Sequence, residues 1–316
     1  MICEEVLQQD TFYEQPIAQQ PAVPNDLVIF GELNKAKYSV LGAFSPSLNM
    51  RFAVKVFPFV NNQVNPHFMK EAAFMPLKHQ NIINIFDSRI QQVVPVQNSF
   101  VQISCIVMEL APFGDFFDLI ITKKIKFDEK LARTYFHQLV EGVEYIHENG
   151  AAHLDLKLEN LLLCDEFTLK ITDFDTAHIN GQGEVTSRGT NSYRAPEILN
   201  KSCRNAQAAD IYSMGILLFA FKCGGKLPYK EQTIYKGHDL LSLMVNNKPL
   251  FWEKHCEMQT RDQSFFSEDF KALFESLVEV NPKKRATISD IKNSNWYNQP
   301  IYDQEDLNEI MSKNLL

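Results

Sequence analysis

The chain reads as an α+β protein in which a small strand-rich part precedes a larger helical part. Two observations predict this. Short β-type segments separated by turn-rich stretches fill residues 27 to 60 and return at 101 to 110, and from Asp128 the apolar spacing changes to a 3.6-residue period. The length agrees, since 316 residues suit two domains or one large two-lobed one and can bury a core without disulfide or metal staples.

Residues 1–25 are rich in Gln and Pro and offer little to bury, so they are expected to be flexible. Leu27-Val28-Ile29-Phe30, Tyr38 to Leu41 and Phe52 to Phe57 read as strands. A helical stretch around Pro66 to Met75 follows, then strand signal at Ile82 to Phe86 and Val101 to Leu110. Ala111-Pro112-Phe113-Gly114-Asp115 reads as a connector. Beyond it Leu131, Tyr135, Leu139, Val143 and Ile146 recur at helical spacing, with Asp128 placed as a cap and Gly150 after the end. Asp210 to Cys223, Phe270 to Val280 and Thr287 to Trp296 also read as helices. In the tail, Leu307, Ile310, Met311 and Leu315 have helical spacing. That tail is a helix packed on the large part, or else a docking or autoinhibitory segment.

Composition excludes several classes. The net charge of −8 argues against nucleic acid, whose binder would carry a basic patch. Six scattered cysteines without C-x-x-C spacing predict reduced thiols and a cytoplasmic protein without a metal-thiolate site. The longest apolar run, Ile211 to Phe221, is too short to span a bilayer, and the first residues show no export or lipidation signal. Twelve glycines are few against the ~7% of average proteins, which becomes relevant at one loop.

The sharpest segment is His153-Leu154-Asp155-Leu156-Lys157-Leu158-Glu159-Asn160, whose H-x-D-x-K-x-x-N pattern would arise at about (1/20)⁴ per site by chance. Asp173-Phe174-Asp175 follows, then Gly189-Thr190-Asn191-Ser192-Tyr193-Arg194 directly before Ala195-Pro196-Glu197. Upstream stand Ala53-Val54-Lys55 and a helical Glu71. Taken singly each has a bland reading as an edge charge, a turn or a surface helix charge. Order and spacing together lift the set: over roughly residues 27–297 the chain resembles the eukaryotic protein kinases. The resemblance implies a bilobal protein-kinase fold, with a β-rich N-lobe over 26–110, a helical C-lobe over 114–297 and a helical tail over 298–316.

It also implies chemistry. Phosphoryl transfer from ATP needs metal ions on the phosphates, a cation beside the leaving group and a carboxylate on the attacking hydroxyl. Asp155 matches the catalytic-loop base, and Lys157 would neutralise γ-phosphate charge. Asn160 and Asp173 match the Mg²⁺ ligands, both oxygen donors as a hard cation requires. Lys55 resembles the lysine on the α- and β-phosphates, and Glu71 its helix partner. Met108 would be the gatekeeper, with backbone groups of Glu109 and Ala111 facing adenine. Asp115 lies where the family has an acid on the ribose, and Leu33, Leu41, Ala53 and Leu162 would sandwich the purine. Arg285 is expected to pair with Glu197, with Asp210 and Gly215 as structural anchors, and His153 supports the loop as a core histidine. Lys157 and Gly189-Thr190 resemble serine/threonine kinases, most nearly the calcium/calmodulin-dependent and AMP-activated-like group. The implied partners are protein substrates bearing Ser or Thr, with basic sequences suggested by Asp115, Asp118 and Glu159. The expected state is a monomer away from nucleic acid and membrane.

Three departures stand out. The phosphate-covering loop, G-x-G-x-x-G in the family, reads Asn34-Lys35-Ala36-Lys37-Tyr38-Ser39. If these positions need a left-handed backbone, each replaced glycine costs about 1–2 kcal/mol, which predicts weakened nucleotide binding. Lys35 and Lys37 would partly offset that loss. Leu154 replaces the arginine that receives the activation-loop phosphate, so activity is expected not to depend on Thr186. Asp175 replaces a glycine and either assists a metal or repels phosphate. Two functions follow: an active serine/threonine kinase, favoured because Lys55, Glu71, Asp155, Asn160 and Asp173 are all present, or a pseudokinase scaffold that holds nucleotide poorly.

Overall fold

The computed structural model describes residues 23, 25–35, 37–96, 99–122, 124–179, 185, 190–229, 234–235, 238–258 and 263–315. The chain divides into two compact units. One takes the residues up to Lys78 with Ile83–Leu110, and the other takes His79–Ile82 with the chain from Ala111 onward.

The first unit is built on a five-stranded antiparallel sheet in the order β1-β2-β3-β5-β4. Its strands are β1 (Val28–Lys35), β2 (Ser39–Ser45), β3 (Met50–Pro58), β4 (Ile85–Val96) and β5 (Ser99–Glu109), with α1 (Pro66–Ala72) between β3 and β4. Alternation sorts the side chains by face. Phe52 and Val54 of β3 join Ala43, Cys105 and Val107 in an apolar cluster, on which Val23, Leu27 and Leu41 pack. Ala53, Lys55 and Phe57 point the other way, where Phe57 meets Phe68 of α1 edge-on at 5.7 Å. Asn65 caps α1 by accepting from His67 N–H at 2.9 Å, and Pro66 occupies the first turn, where its missing N–H costs nothing. The helix stops at Ala72, short of the expected Met75, because Pro76 disfavours helical backbone at Met75.

The expected flexible segment 1–25 lies outside the described residues except for Val23 and Asn25. Val23 is tied down, since its carbonyl accepts from Arg89 Nη2 at 3.2 Å and its side chain sits on the apolar cluster. The strand expected at Ile82 to Phe86 begins only at Ile85 and runs to Val96, while Ile82 bridges Ile171 in the second unit. Bulges and the polar Gln91 and Gln92 interrupt the alternation of β4, so pairing with β5 supplies what local pattern does not.

The second unit is largely helical. Its helices are α2 (Phe116–Ile121), α3 (Glu129–Glu148), α4 (Pro196–Leu199), α5 (Ala206–Lys222), α6 (Leu240–Asn246), α7 (Lys248–Met258), α8 (Glu268–Leu277), α9 (Ile288–Lys292) and α10 (Gln304–Leu315). Short antiparallel pairs join β6 (Ala151–Ala152) to β9 (His178–Ile179) and β7 (Leu161–Leu163) to β8 (Leu169–Ile171). α3 starts as its sequence predicts: Asp128 accepts from Leu131 N–H at 2.6 Å, and Gly150 follows the end at φ 72°. α5 is apolar on every side and its middle is fully buried. A Cβ on Gly215 would come within 2.8 Å of Leu277 and Val278, so only glycine permits this closeness of α5 to α8.

The tail forms α10 and packs on its own unit, which is the first of the two readings. Leu307 and Met311 are buried, Gln304 donates to Glu166 O at 2.7 Å, and Tyr302 donates to Asp128 Oδ2 at 2.8 Å. Buried Arg133 holds the approach by donating to Trp296 O, Pro300 O and Gln299 Oε1 at 2.7–3.0 Å. Cys105, Cys164, Cys203, Cys223 and Cys256 are free thiols. No helix among the described residues is long and apolar enough to cross a membrane.

Candidate active site

Asp155 is the centre of the second unit's polar loop. Its Oδ2 accepts from Lys157 Nζ at 2.6 Å and from Asn160 Nδ2 at 3.1 Å, and its Oδ1 accepts the backbone N–H of Thr190 at 2.9 Å. Lys157 also reaches Thr190 Oγ1 at 3.3 Å. A carboxylate fixed by three donors cannot rotate freely, so its oxygens hold one orientation.

The loop is held from beneath. Fully buried Asp210 on α5 accepts the backbone N–H of His153 and of Leu154 at 2.8 Å each, and His147 Nε2–H at 2.9 Å. His153 donates from Nε2 to Thr172 O at 2.9 Å and accepts Asp155 N–H on Nδ1 at 3.2 Å, which defines its tautomer as Nε2–H. His153 therefore supports the loop, as expected, and its ring packs on Phe174. Leu154 lies at φ 63° and is buried.

Asn160 and Asp173 carry the oxygen donors expected for magnesium. The amide nitrogen of Asn160 is committed to Asp155, through its carbonyl at 2.8 Å as well as its carboxylate, so Oδ1 is the atom left for a ligand. Asp173 adopts φ 67°, a conformation an L-residue holds only where its surroundings impose it. Two hard oxygen donors fit Mg²⁺, which takes one or two protein ligands and completes its shell with phosphate and water. Asp175 is buried on a turn closed by Ala177 N–H to Phe174 O at 3.1 Å, and among the described residues no three His, Cys, Asp or Glu form a metal-binding group. Asp175 therefore does not join Asp155 and Asp173 as a third carboxylate.

In the first unit Lys55 Nζ and Glu71 Oε2 meet at 2.5 Å, and both side chains are buried. The β3 lysine is thereby held by α1, the arrangement the sequence anticipates. In the hairpin that replaces the glycine loop, β1 and β2 stay paired beyond a bulge at Leu33. Lys35 pairs with Ser39 and Asn34 with Val40, and Ser39 Oγ donates to Glu32 at 2.8 Å. Neither Asn34 nor Ser39 has a positive φ. The strain expected from lost glycine at these two positions is absent, because the residues continue a ladder; Ala36 lies outside the described residues. Lys37 is engaged with His67 at 3.3 Å and lies over Tyr38.

Among the purine-facing candidates one is corrected. Leu41 pairs with Val54 and packs on the apolar cluster of the opposite face, so it does not share a face with Ala53. The β2 residues opposite Lys55 and Ala53 are Val40 and Gly42. Strand parity decides this, since a shift of one residue moves a side chain to the other side of the sheet. Val40 is thus the residue sequence reasoning missed, and the pairing of β2 with Lys55 is the signal that finds it. Met108 pairs with Ala53 and shares its face. Leu33 sits in a bulge of β1 and is about half exposed. Glu109 N–H is committed to Asn84 O at 2.9 Å, so its carbonyl is what it offers a ligand.

In the second unit Asp115 and Leu162 are bridge partners, near Ala111 at the start of that unit. Asp115 caps α2 by accepting Asp118 N–H at 2.8 Å, and burial raises its pKa despite that bond. Farther on, Arg285 grips Glu197 in a bidentate pair at 2.6 and 2.9 Å, as expected. Thr186 lies outside the described residues.

The family model described as protein kinase domain matches residues 37–297. CBL-interacting serine/threonine-protein kinase 8 of Arabidopsis thaliana is 34% identical over 195 residues, covering 61% of this chain and 40% of that protein. CBL-interacting protein kinase 11 of Oryza sativa subsp. japonica is 32% identical over 238 residues, 73% of this chain and 42% of the relative. A probable serine/threonine-protein kinase, MARK-B of Dictyostelium discoideum, is 33% identical over 233 residues, 72% of this chain and 30% of that one. The chain spans less than half the length of these three relatives. With a match over most of its length and the loop geometry that accompanies it, the chain belongs to the protein kinase domain family.

Proposed function

We propose that the chain is an ATP-dependent protein serine/threonine kinase that transfers the γ-phosphate of Mg-ATP to Ser and Thr hydroxyls of protein substrates. The observation that carries the reading is the fixed carboxylate of Asp155, held by Lys157, Asn160 and Thr190. In this role Asp155 accepts the proton of the substrate hydroxyl as its oxygen bonds to the γ-phosphorus. The bond from that phosphorus to the β–γ bridging oxygen breaks, and ADP leaves. Lys157, bonded to the same carboxylate, supplies positive charge beside the reacting phosphoryl group. Lys55, restrained by Glu71, holds the α- and β-phosphates. Asn160 Oδ1 and Asp173 would hold magnesium, which when bound screens the phosphate charge.

Ala53, Met108 and the Glu109 carbonyl, with Ala111, Asp115 and Leu162, are the groups proposed to meet the nucleoside, and Val40 takes the place of Leu41. The proposal extends to a cytoplasmic monomer that takes basic sequences among its substrates; the scattered free thiols and the net charge of −8 support that part.

The test is transfer of radiolabelled phosphate from Mg-ATP to a generic Ser/Thr substrate, with Asp155→Asn as control. Loss of the base should lower the rate about 10²–10⁴-fold. Wild-type signal equal to the control would leave the scaffold reading instead. A rise in melting temperature with Mg-ATP separates nucleotide binding from turnover.

A further inference from the structure

At one end of the first unit's sheet β5 outruns its neighbour. The register of β3 with β5 stops where Pro58 meets Ile103, while β4 stays paired with β5 as far as Val96 and Ser99. After Pro58 the chain leaves the sheet and turns through the bridge of Val60 with Gln63. On that side the edge of β5 at residues 100–102 has no strand against it among the described residues. A cavity of about 580 Å³ occupies the notch, with Phe59, Val93, Phe100 and Val101 and the uncharged amides of Asn62 and Gln102 in its lining. Phe100 is 78% exposed and Val93 59%, so the lining turns large apolar side chains toward water. An apolar cavity beside an open strand edge suits an extended segment that carries a large apolar side chain.

Val23 points to the segment. Its carbonyl accepts from Arg89 on β4, and its side chain packs on the cluster that includes Cys105. Arg89 is the β4 partner of Cys105, and Val101 stands four residues from Cys105 along β5, about 13 Å away and on the same face. Residues 1–22 precede this anchor, outside the described residues. Among them Phe12 and Tyr13 are adjacent aromatics, and Phe12 lies eleven residues before Val23. A tether of that length extends to at most about 36 Å and so reaches the notch. Residues 10–15 hold no proline, so every backbone N–H there can bond to a strand edge, as Pro16, Pro21 and Pro24 cannot. Residues 1–22 carry the acids Glu4, Glu5, Asp10 and Glu14 and no lysine or arginine, and the cavity lining holds no carboxylate to repel them. A tethered segment is present at an effective concentration on the order of millimolar, which a separate partner would have to match.

We propose that residues 10–15 of this chain add to the open edge of β5 as an extended segment and seat Phe12 in the cavity. Neighbouring side chains of a strand point to opposite faces, so Phe12 enters while Tyr13 keeps its hydroxyl in water. Main-chain bonds to β5 hold the segment, and burial of the Phe12 ring against Val93, Phe100 and Val101 sets its register. The dock goes beyond the kinase reading and stands whether or not phosphate is transferred.

The test uses the full chain with the photoreactive residue p-benzoylphenylalanine in place of Phe12. After irradiation, the cross-linked peptides are located by mass spectrometry and the product mass is read on a denaturing gel. Cross-links should fall within one chain on residues 58–62 or 93–102, and Val101→Asp should reduce their yield at least about tenfold by placing a carboxylate in the apolar lining. Phe12→Ala serves as a second variant if Val101→Asp does not fold. In it the amides of residues 100–102 should exchange hydrogen about tenfold faster than in wild type, while those of Val54 and Val107 are unchanged. A product of twice the chain mass would assign the notch to a second copy and overturn the proposal. Cross-links confined to other stretches, no cross-link at all, or exchange at residues 100–102 unmoved by Phe12→Ala would overturn it equally.

Discussion

The backbone N–H of Thr190 donates to Oδ1 of Asp155 at 2.9 Å, and the Thr190 hydroxyl meets Lys157, which itself donates to the other oxygen of Asp155. Thirty-five residues of chain separate the two partners, so this bond joins two distant segments at one carboxylate. It needs no phosphate. One of the three groups that orient the proposed base is thus a main-chain N–H, which side-chain substitution alone does not remove.

Thr190→Pro deletes that N–H, while Thr190→Ser keeps both the N–H and the hydroxyl. A buried acceptor losing its donor costs about 1–3 kcal/mol, which corresponds to about 10- to 100-fold in rate if the bond persists in the transition state. Thr190→Pro should therefore lower kcat by that factor with Thr190→Ser near wild type. Equal kcat for the two variants would show that the bond does not orient Asp155 during turnover.

Leu154 carries the second prediction. It is buried, apolar and held by Asp210 through its backbone N–H, so it offers nothing to a phosphate on the activation segment. Thr190 reaches Asp155 without such a phosphate. Activity of Thr186→Ala and Thr186→Glu should lie within about twofold of wild type, where an arginine-gated site would respond to the added charge. A large loss in Thr186→Ala, measured on protein free of phosphate elsewhere, contradicts this.

Much of the site was legible because its chemistry is local. His153 to Asn160 is one short segment whose pattern carries the resemblance to the kinases, and the structure shows Lys157 and Asn160 converging on Asp155. Lys55 and Glu71 were legible only through the resemblance to the kinases, since each alone reads as a surface charge, and their burial and contact appear in the structure. Leu41 was misread because parity within β2 depends on where β3 pairs, and no window of sequence contains both strands. The same limit hid most of β4. α7 went unseen because its buried face, Phe251, Trp252, His255 and Cys256, places a histidine in an apolar stripe. The glycine loop shows the converse: residue type predicted strain, and at Asn34 and Ser39, both paired in the β1–β2 ladder, no positive φ occurs.

The face assignment in β2 separates two neighbouring residues. Leu41→Ala removes packing from the cluster of Ala43, Phe52 and Val54, and should destabilise the fold by about 1–3 kcal/mol with little change in Mg-ATP affinity. Val40→Glu puts a carboxylate on the face that carries Lys55 and should weaken Mg-ATP binding at least about tenfold, with a smaller change in stability. Urea unfolding and nucleotide titration on both variants measure this. Reversed sensitivities would restore Leu41 to the nucleotide face.

His255 gives the fold a defined acid limit. It is 1% exposed, donates Nε2–H to Pro228 O at 2.7 Å, and buries Nδ1 without a partner among the described residues, beside the rings of Phe219 and Phe251. Burial, helped by the charges of Lys254 and Lys226, lowers its pKa to about 4 from 6.5. Between those values the unfolded chain binds a proton that the folded chain refuses, so the stability from neutral His255 is complete above pH 6.5 and declines as pH falls toward 4. The whole loss is about 3 kcal/mol. His255→Gln keeps a donor for Pro228 and cannot titrate. Urea unfolding at pH 7, 5.5 and 4 should show wild type losing about 3 kcal/mol more than this variant over the range. Parallel curves would mean that His255 accepts its proton inside the folded protein, through a local opening of α7 rather than global unfolding.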